Sequence, residues 1–175
     1  MQTDFSYNDE KFADIQMLRY QVHGFEQLTL RQKELIYYLS EAALSGRDIL
    51  WDQNSKYNLR IRQTLESIYT CPACQNNKEE FKAFTVYLKR VWFSNGIHHH
   101  YGCEKFKPEF SESFFHEAIH LVPAEKLPLL DGQSVNELCD ELIPVIFNPE
   151  VLPKRVNQAD GEDLLLTSAC NYYGE

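Results

Sequence analysis

From Thr29 onward the apolar residues fall at intervals of three and four, a period that commits most of the chain to helix. Thr29-Leu30-Arg31-Gln32 has the pattern of a capping box, in which the hydroxyl accepts from an early backbone N–H and Gln32 reaches back to the first residue. Leu35, Tyr38, Leu39, Ala42, Gly46, Ile49 and Leu50 then trace one stripe, which predicts a long helix with a buried face. Gly46 within that stripe predicts either close packing or a break, because glycine weakens a helix interior. A second helix is predicted from Tyr57 to Tyr69 on Ile61, Leu65 and Ile68. A third follows Asn76-Asn77, placing Phe81, Phe84, Leu88, Val91 and Trp92 on one face and ending near Asn95-Gly96.

Ser111 heads a short fourth helix, with Phe110 and Phe115 at the two positions of a hydrophobic staple. Ser134 and Glu137 form another capping box ahead of Leu138, Leu142 and Val145, and Pro144 is expected to disturb the end of that helix. Strand patterns are few, and Leu164-Leu165-Leu166-Thr167 is the best of them. The expected fold class is therefore mainly α, a helix-rich single unit with few short strands.

The chain has 175 residues, enough for one domain with a core, and its 43% hydrophobic content excludes a disordered polymer. A net charge of −9 repels phosphate backbones, which removes nucleic acid from the expected partners. No apolar run reaches membrane-spanning length, so no membrane partner is expected either. Five cysteines are an odd set in a chain that has no need of disulfide staples. With no signal-peptide pattern in Met1-Gln2-Thr3-Asp4-Phe5, they point to a reducing, cytoplasmic compartment.

Four stretches carry candidate chemistry. His116-Glu117-Ala118-Ile119-His120 matches H-E-x-x-H, where two histidines one helical turn apart grip zinc and the glutamate acts on the metal-bound water. Glu141, on the next predicted helix, is the candidate third ligand. The helical wheel opposes this reading: Phe114, Phe115, Ala118, Ile119 and Val122 fill one arc, leaving His116 and His120 on the water-facing side. Cys71-Pro72-Ala73-Cys74 is half of a zinc knuckle or a redox pair, and only His98-His99-His100 and Cys103 could complete it. Ser94 to Phe106 gathers three histidines, two glycines and aromatic residues in one loop, the kind of segment where function concentrates. Pro153-Lys154-Arg155-Val156-Asn157-Gln158-Ala159-Asp160-Gly161-Glu162-Asp163 mixes both charge signs and suits a surface turn.

Several of these strings resemble the N-terminal region of bacterial dipeptidyl peptidases III. They are Leu18-Arg19-Tyr20-Gln21-Val22, Gln32-Lys33-Glu34-Leu35-Ile36-Tyr37-Tyr38-Leu39, Gly46-Arg47-Asp48-Ile49, Val91-Trp92-Phe93-Ser94-Asn95-Gly96-Ile97 with its triple-histidine loop, and Pro153-Lys154-Arg155-Val156-Asn157-Gln158. The resemblance covers nearly the whole chain, with Cys71 to Asn77 and Ser113 to Leu129 fitting least.

It implies a cytosolic zinc enzyme that removes dipeptides from peptide N-termini, built as two lobes around a cleft. The family's zinc motif is the longer H-E-x-x-G-H, which this chain does not contain, so the resemblance makes His116 to His120 a chance match. It also implies that Tyr101 and Gly102 line the substrate cleft, with Asn95 and Gly96 shaping the turn before them.

The chain ends at Asn171-Tyr172-Tyr173-Gly174-Glu175, directly after an apolar stretch, and is expected to be cut before the zinc-binding lobe. The expectation is thus an N-terminal portion that is inactive alone, with no catalytic residue and no metal or cofactor of its own, zinc belonging to the full-length enzyme. Its partner is a peptide substrate met through the full-length enzyme, and apolar surface left bare by truncation gives self-association. The rival expectations are a self-contained H-E-x-x-H zinc peptidase, using His116, His120 and Glu141 with Glu117 as base, and a non-enzymatic peptide-binding module.

Overall fold

The structure is a computed structural model that describes residues 5–102 and 104–153. It is mainly helical, and the chain divides into two compact units, Met1–Ile49 and Leu50–Glu175.

In the first unit an antiparallel hairpin pairs β1 (Asn8–Phe12) with β2 (Ile15–Leu18), Phe12 lying opposite Ile15 and Lys11 opposite Gln16. The turn between them rests on Ala13 in a left-handed conformation, φ 49°. The expected capping box then forms: Thr29 N donates to Gln32 Oε1 at 2.9 Å, and Gln32 N donates to Thr29 Oγ1 at 3.3 Å. Helix α1 (Leu30–Ser45) follows, and it differs from expectation in two ways. It stops at Gly46, so the long helix is two, the next being α2 (Asp48–Asn54). None of its residues is buried, and Leu35, Tyr38, Leu39, Ile49 and Leu50 of the expected stripe are exposed. Ile36, Tyr37 and Leu44 lie outside that stripe and are apolar too, so the helix has no distinct polar back that would give the stripe a direction.

The second unit holds every buried apolar side chain among the described residues. Trp51 of α2 is buried under the Arg62 guanidinium, 5.2 Å from its ring. Helix α3 (Asn58–Thr70) buries Ile61, Leu65 and Ile68, and α4 (Lys78–Ser94), capped by Asn77, buries Phe84, Leu88 and Val91 as the periodicity predicts. Ser111 Oγ accepts from Phe114 N to start α5 (Glu112–Leu121). Phe110 and Phe115 meet as the staple pattern requires, ring centroids 6.2 Å apart. Helix α6 (Val135–Phe147) opens on the Ser134–Glu137 capping box and continues one turn past Pro144. Its inward face of Leu138, Leu142, Val145 and Ile146 shares the core with Phe115, and each such side chain contributes about 1.5–3 kcal/mol by leaving water.

No helix among the described residues is long and apolar enough to cross a membrane. Cys103, the strand expected at Leu164 to Thr167, the mixed-charge stretch from Lys154 to Asp163, Cys170 and the terminal Asn171 to Glu175 lie outside the described residues.

Candidate functional site

The loop singled out by its histidines is a short hairpin rooted in the core of the second unit. Helix α4 ends where Asn95 turns left-handed at φ 51°. Gly96 follows because nothing larger fits: a Cβ there would collide with the side-chain amide of Asn58. Asn58 is itself buried, and its Oδ1 accepts from Ile97 N at 3.3 Å, so it has nowhere to move. Asn54 Nδ2 also holds this turn by donating to Asn95 O.

From this base the chain runs out and back. Phe106 N donates to Ile97 O at 2.8 Å and His99 N to Glu104 O at 2.7 Å, with His98 and Lys105 paired between them. Ile97 and Phe106 anchor the two sides in the core. Lys105 Nζ donates to Asn148 O and Val151 O, both at 2.7 Å, and its burial lowers its pKa. His98 Nε2 meets Leu152 O and Pro153 O, so the base is tied to the segment after α6.

The tip is held by one imidazole. His99 Nδ1 accepts from Tyr101 N at 3.2 Å and Gly102 N at 3.0 Å, which places the ring's own proton on Nε2. His99 stacks on His100 at 4.4 Å, His100 packs against Phe93 at 4.9 Å, and Tyr101 lies 4.3 Å from His100. Partial burial, then the neighbouring His99, push the pKa of His100 down. Tyr101 is 83% exposed, the most exposed large apolar side chain described. The structure therefore gathers Asn95, Gly96, Tyr101 and Gly102 in one hairpin, two at its base and two at its tip. Phe93 was not among the sequence candidates. Its only sequence trace is that it sits beside Trp92, off the buried stripe, at the last turn before the loop.

The second candidate region lies on α5. As the helical wheel requires, Phe114, Phe115, Ala118 and Ile119 are buried while His116 and His120 are exposed. Glu117 lies on another flank, lining a cavity of about 410 Å³ with Cys74, Glu80, Phe114 and Ala118. Glu141 is occupied elsewhere: Arg60 Nη1 reaches its Oε1 at 2.5 Å, and Gln133 Nε2 donates to its Oε2 at 3.0 Å. Burial would raise the Glu141 pKa, but the hydrogen bonds from Arg60 and Gln133 and the charges of Arg60 and Lys56 outweigh it and leave it lowered.

The side chain that does approach the histidine pair is Cys139 of α6. One ligand atom each from His116, His120 and Cys139 lie within 4.8 Å of one another. His120 Nδ1 contacts His116 O at 2.7 Å and its Nε2 contacts Asn136 Oδ1 at 2.8 Å, and these two contacts raise its pKa. The only sequence trace of Cys139 is a cysteine one place off the apolar stripe of α6.

The C-x-x-C pair does something simpler. Cys71 Sγ lies 3.6 Å from Leu121 O and Cys74 Sγ 3.4 Å from Ala118 O, so both thiols donate to carbonyls near the end of α5. Burial first, then the hydrogen bond and charge of Cys71, push the Cys74 thiol up to about 12. A scan against protein-family models finds no match to this chain, and no curated protein matches it significantly.

Proposed function

We propose that the chain is the helical N-terminal portion of a dipeptidyl peptidase III-like zinc exopeptidase, contributing part of the wall of the peptide cleft and no catalytic centre. The observation that carries this reading is the aromatic tip of the 97–106 hairpin, where Tyr101 stands 83% exposed against His100, His99 and Phe93. Flat aromatic faces on a rigid, core-rooted hairpin suit contact with side chains of an extended peptide. Gly102, with no Cβ, lets a peptide backbone approach between them.

The catalytic zinc belongs to the other lobe in this reading, and the partner is a peptide, not nucleic acid or a membrane. The setting is cytoplasmic. The bare apolar residues of α1 add the expectation that the chain self-associates when alone. A self-contained peptidase built on His116, His120 and Glu141 draws no support from Glu141, which is paired with Arg60.

The test is a titration of the chain with short peptides, followed by NMR shifts of the hairpin amides, alongside a dipeptidyl reporter assay. Saturable shifts centred on Tyr101 and Gly102, lost in Tyr101→Ala, with no hydrolysis, are expected. Hydrolysis by this chain would overturn the placement of the catalytic centre elsewhere, and absence of saturable binding would overturn the cleft role.

A further inference from the structure

We infer that His116, His120 and Cys139 form a binding site for one divalent transition-metal ion of the zinc class, which clips α5 to α6. This does not depend on the peptidase reading and uses none of the residues of the 97–106 hairpin.

The donor set comes first. Two imidazoles one turn apart on α5 and a thiol on α6 bring their ligand atoms within 4.8 Å of one another. Metal–nitrogen bonds near about 2.0 Å and metal–sulfur bonds near about 2.3 Å then need only small side-chain rotations to close around an ion. Imidazole and thiolate select zinc, cobalt, nickel or copper and reject magnesium and calcium, which want oxygen.

The surroundings fit that donor set. Cys139 is 1% exposed and fixed on α6, whose start is pinned by the Ser134–Glu137 capping box. His116 and His120 are exposed on the other side, so the ion enters from water and meets the thiol beneath. The carbonyl of His116 accepts from His120 Nδ1 at 2.7 Å, the outer hydrogen bond that orients a ligating ring and leaves its Nε2 for the metal. Asn136 Oδ1, 2.8 Å from that Nε2, covers the position and must swing aside. On binding, the Cys139 thiol loses its proton to water as the sulfur–metal bond forms. His120 likewise gives up any Nε2 proton, and the solvent side leaves a coordination position for water.

Glu117 is not one of the three ligands. It faces the cavity shared with Cys74, Phe114 and Ala118, and the third ligand is a core thiolate. The ion therefore joins α5 to α6.

The test uses the full chain without an affinity tag, titrated with cobalt(II) as a spectroscopic probe and then with zinc. Stoichiometric binding with a thiolate-to-cobalt charge-transfer band and intense tetrahedral visible bands, all abolished when zinc displaces cobalt, is the expected result. His116→Ala and His120→Ala change exposed residues and leave the core intact, and each should lose the bands. Cys139→Ala should lose the charge-transfer band, with its fold checked by circular dichroism. A His99→Ala/His100→Ala double variant should keep every band. The inference is overturned if no band appears, if the bands survive His116→Ala, or if they vanish instead with His99 and His100 or with Cys71→Ala/Cys74→Ala.

Discussion

Thr29 and Ser134 make the same capping box, but the helices they start are held by different things. Helix α6 sinks Leu138, Cys139, Leu142, Val145 and Ile146 into the core, whereas α1, with an equally good start, buries nothing. A cap fixes where a helix begins by satisfying orphan N–H groups. Burial decides whether that helix shares in the cooperative stability of a core. The hairpin and α1 of the first unit thus rest on local bonds, and the second unit rests on packing.

The sharpest way to break this contrast is truncation in each helix. Phe115→Ala in the second unit is expected to cost about 3–5 kcal/mol in urea unfolding, since Phe115 is fully buried. Leu39→Ala, on exposed α1, should stay within about 0.5 kcal/mol. Equal costs would mean that α1 has a packed face. Gly96→Ala comes next, at about 1–3 kcal/mol, because its new methyl group meets the immobile Asn58 amide. If the variant unfolds at the wild-type urea midpoint, the hairpin base is looser than its hydrogen bonds imply.

Glu141 gives a smaller effect with a pH signature. Its folded pKa is lowered, so its contribution is present above the ordinary glutamate value near about 4.3 and lost as pH falls through the folded value. Glu141→Gln should cost about 1–2 kcal/mol at neutral pH and converge with wild type in acid, as read by unfolding at a series of pH values. A cost that persists unchanged in acid would mean the Arg60 pair is not its source. Smallest is the comparison of caps. Ser134→Ala should lower global stability by about 1 kcal/mol, while Thr29→Ala should speed amide exchange only within α1.

What could be read from sequence was the local chemistry. Both capping boxes, the Ser111 cap, the staple of Phe110 and Phe115 and the wheel of α5 were legible because each depends on residues a few positions apart. The stripe from Leu35 to Leu50 was misread because periodicity states which residues share a face, not what covers it. The β1–β2 hairpin left no trace: Asn8 to Phe12 is charged, and its turn places Ala13 where glycine or asparagine is the usual marker. At the candidate sites, Asn95, Gly96, Tyr101 and Gly102 were chosen through resemblance, while Phe93 and Cys139 were missed because their partners meet them only through tertiary packing.

The two thiols that cap α5 have a consequence for chemical labelling. Alkylating reagents attack the thiolate, and Cys74, buried against Ala118 O with its pKa pushed up to about 12, offers almost none in the folded protein. Half-exposed Cys71, three residues away, is the internal control. The ratio of alkylation at these two positions, followed over time by peptide mapping, therefore measures how often the end of α5 lifts off the 72–76 turn.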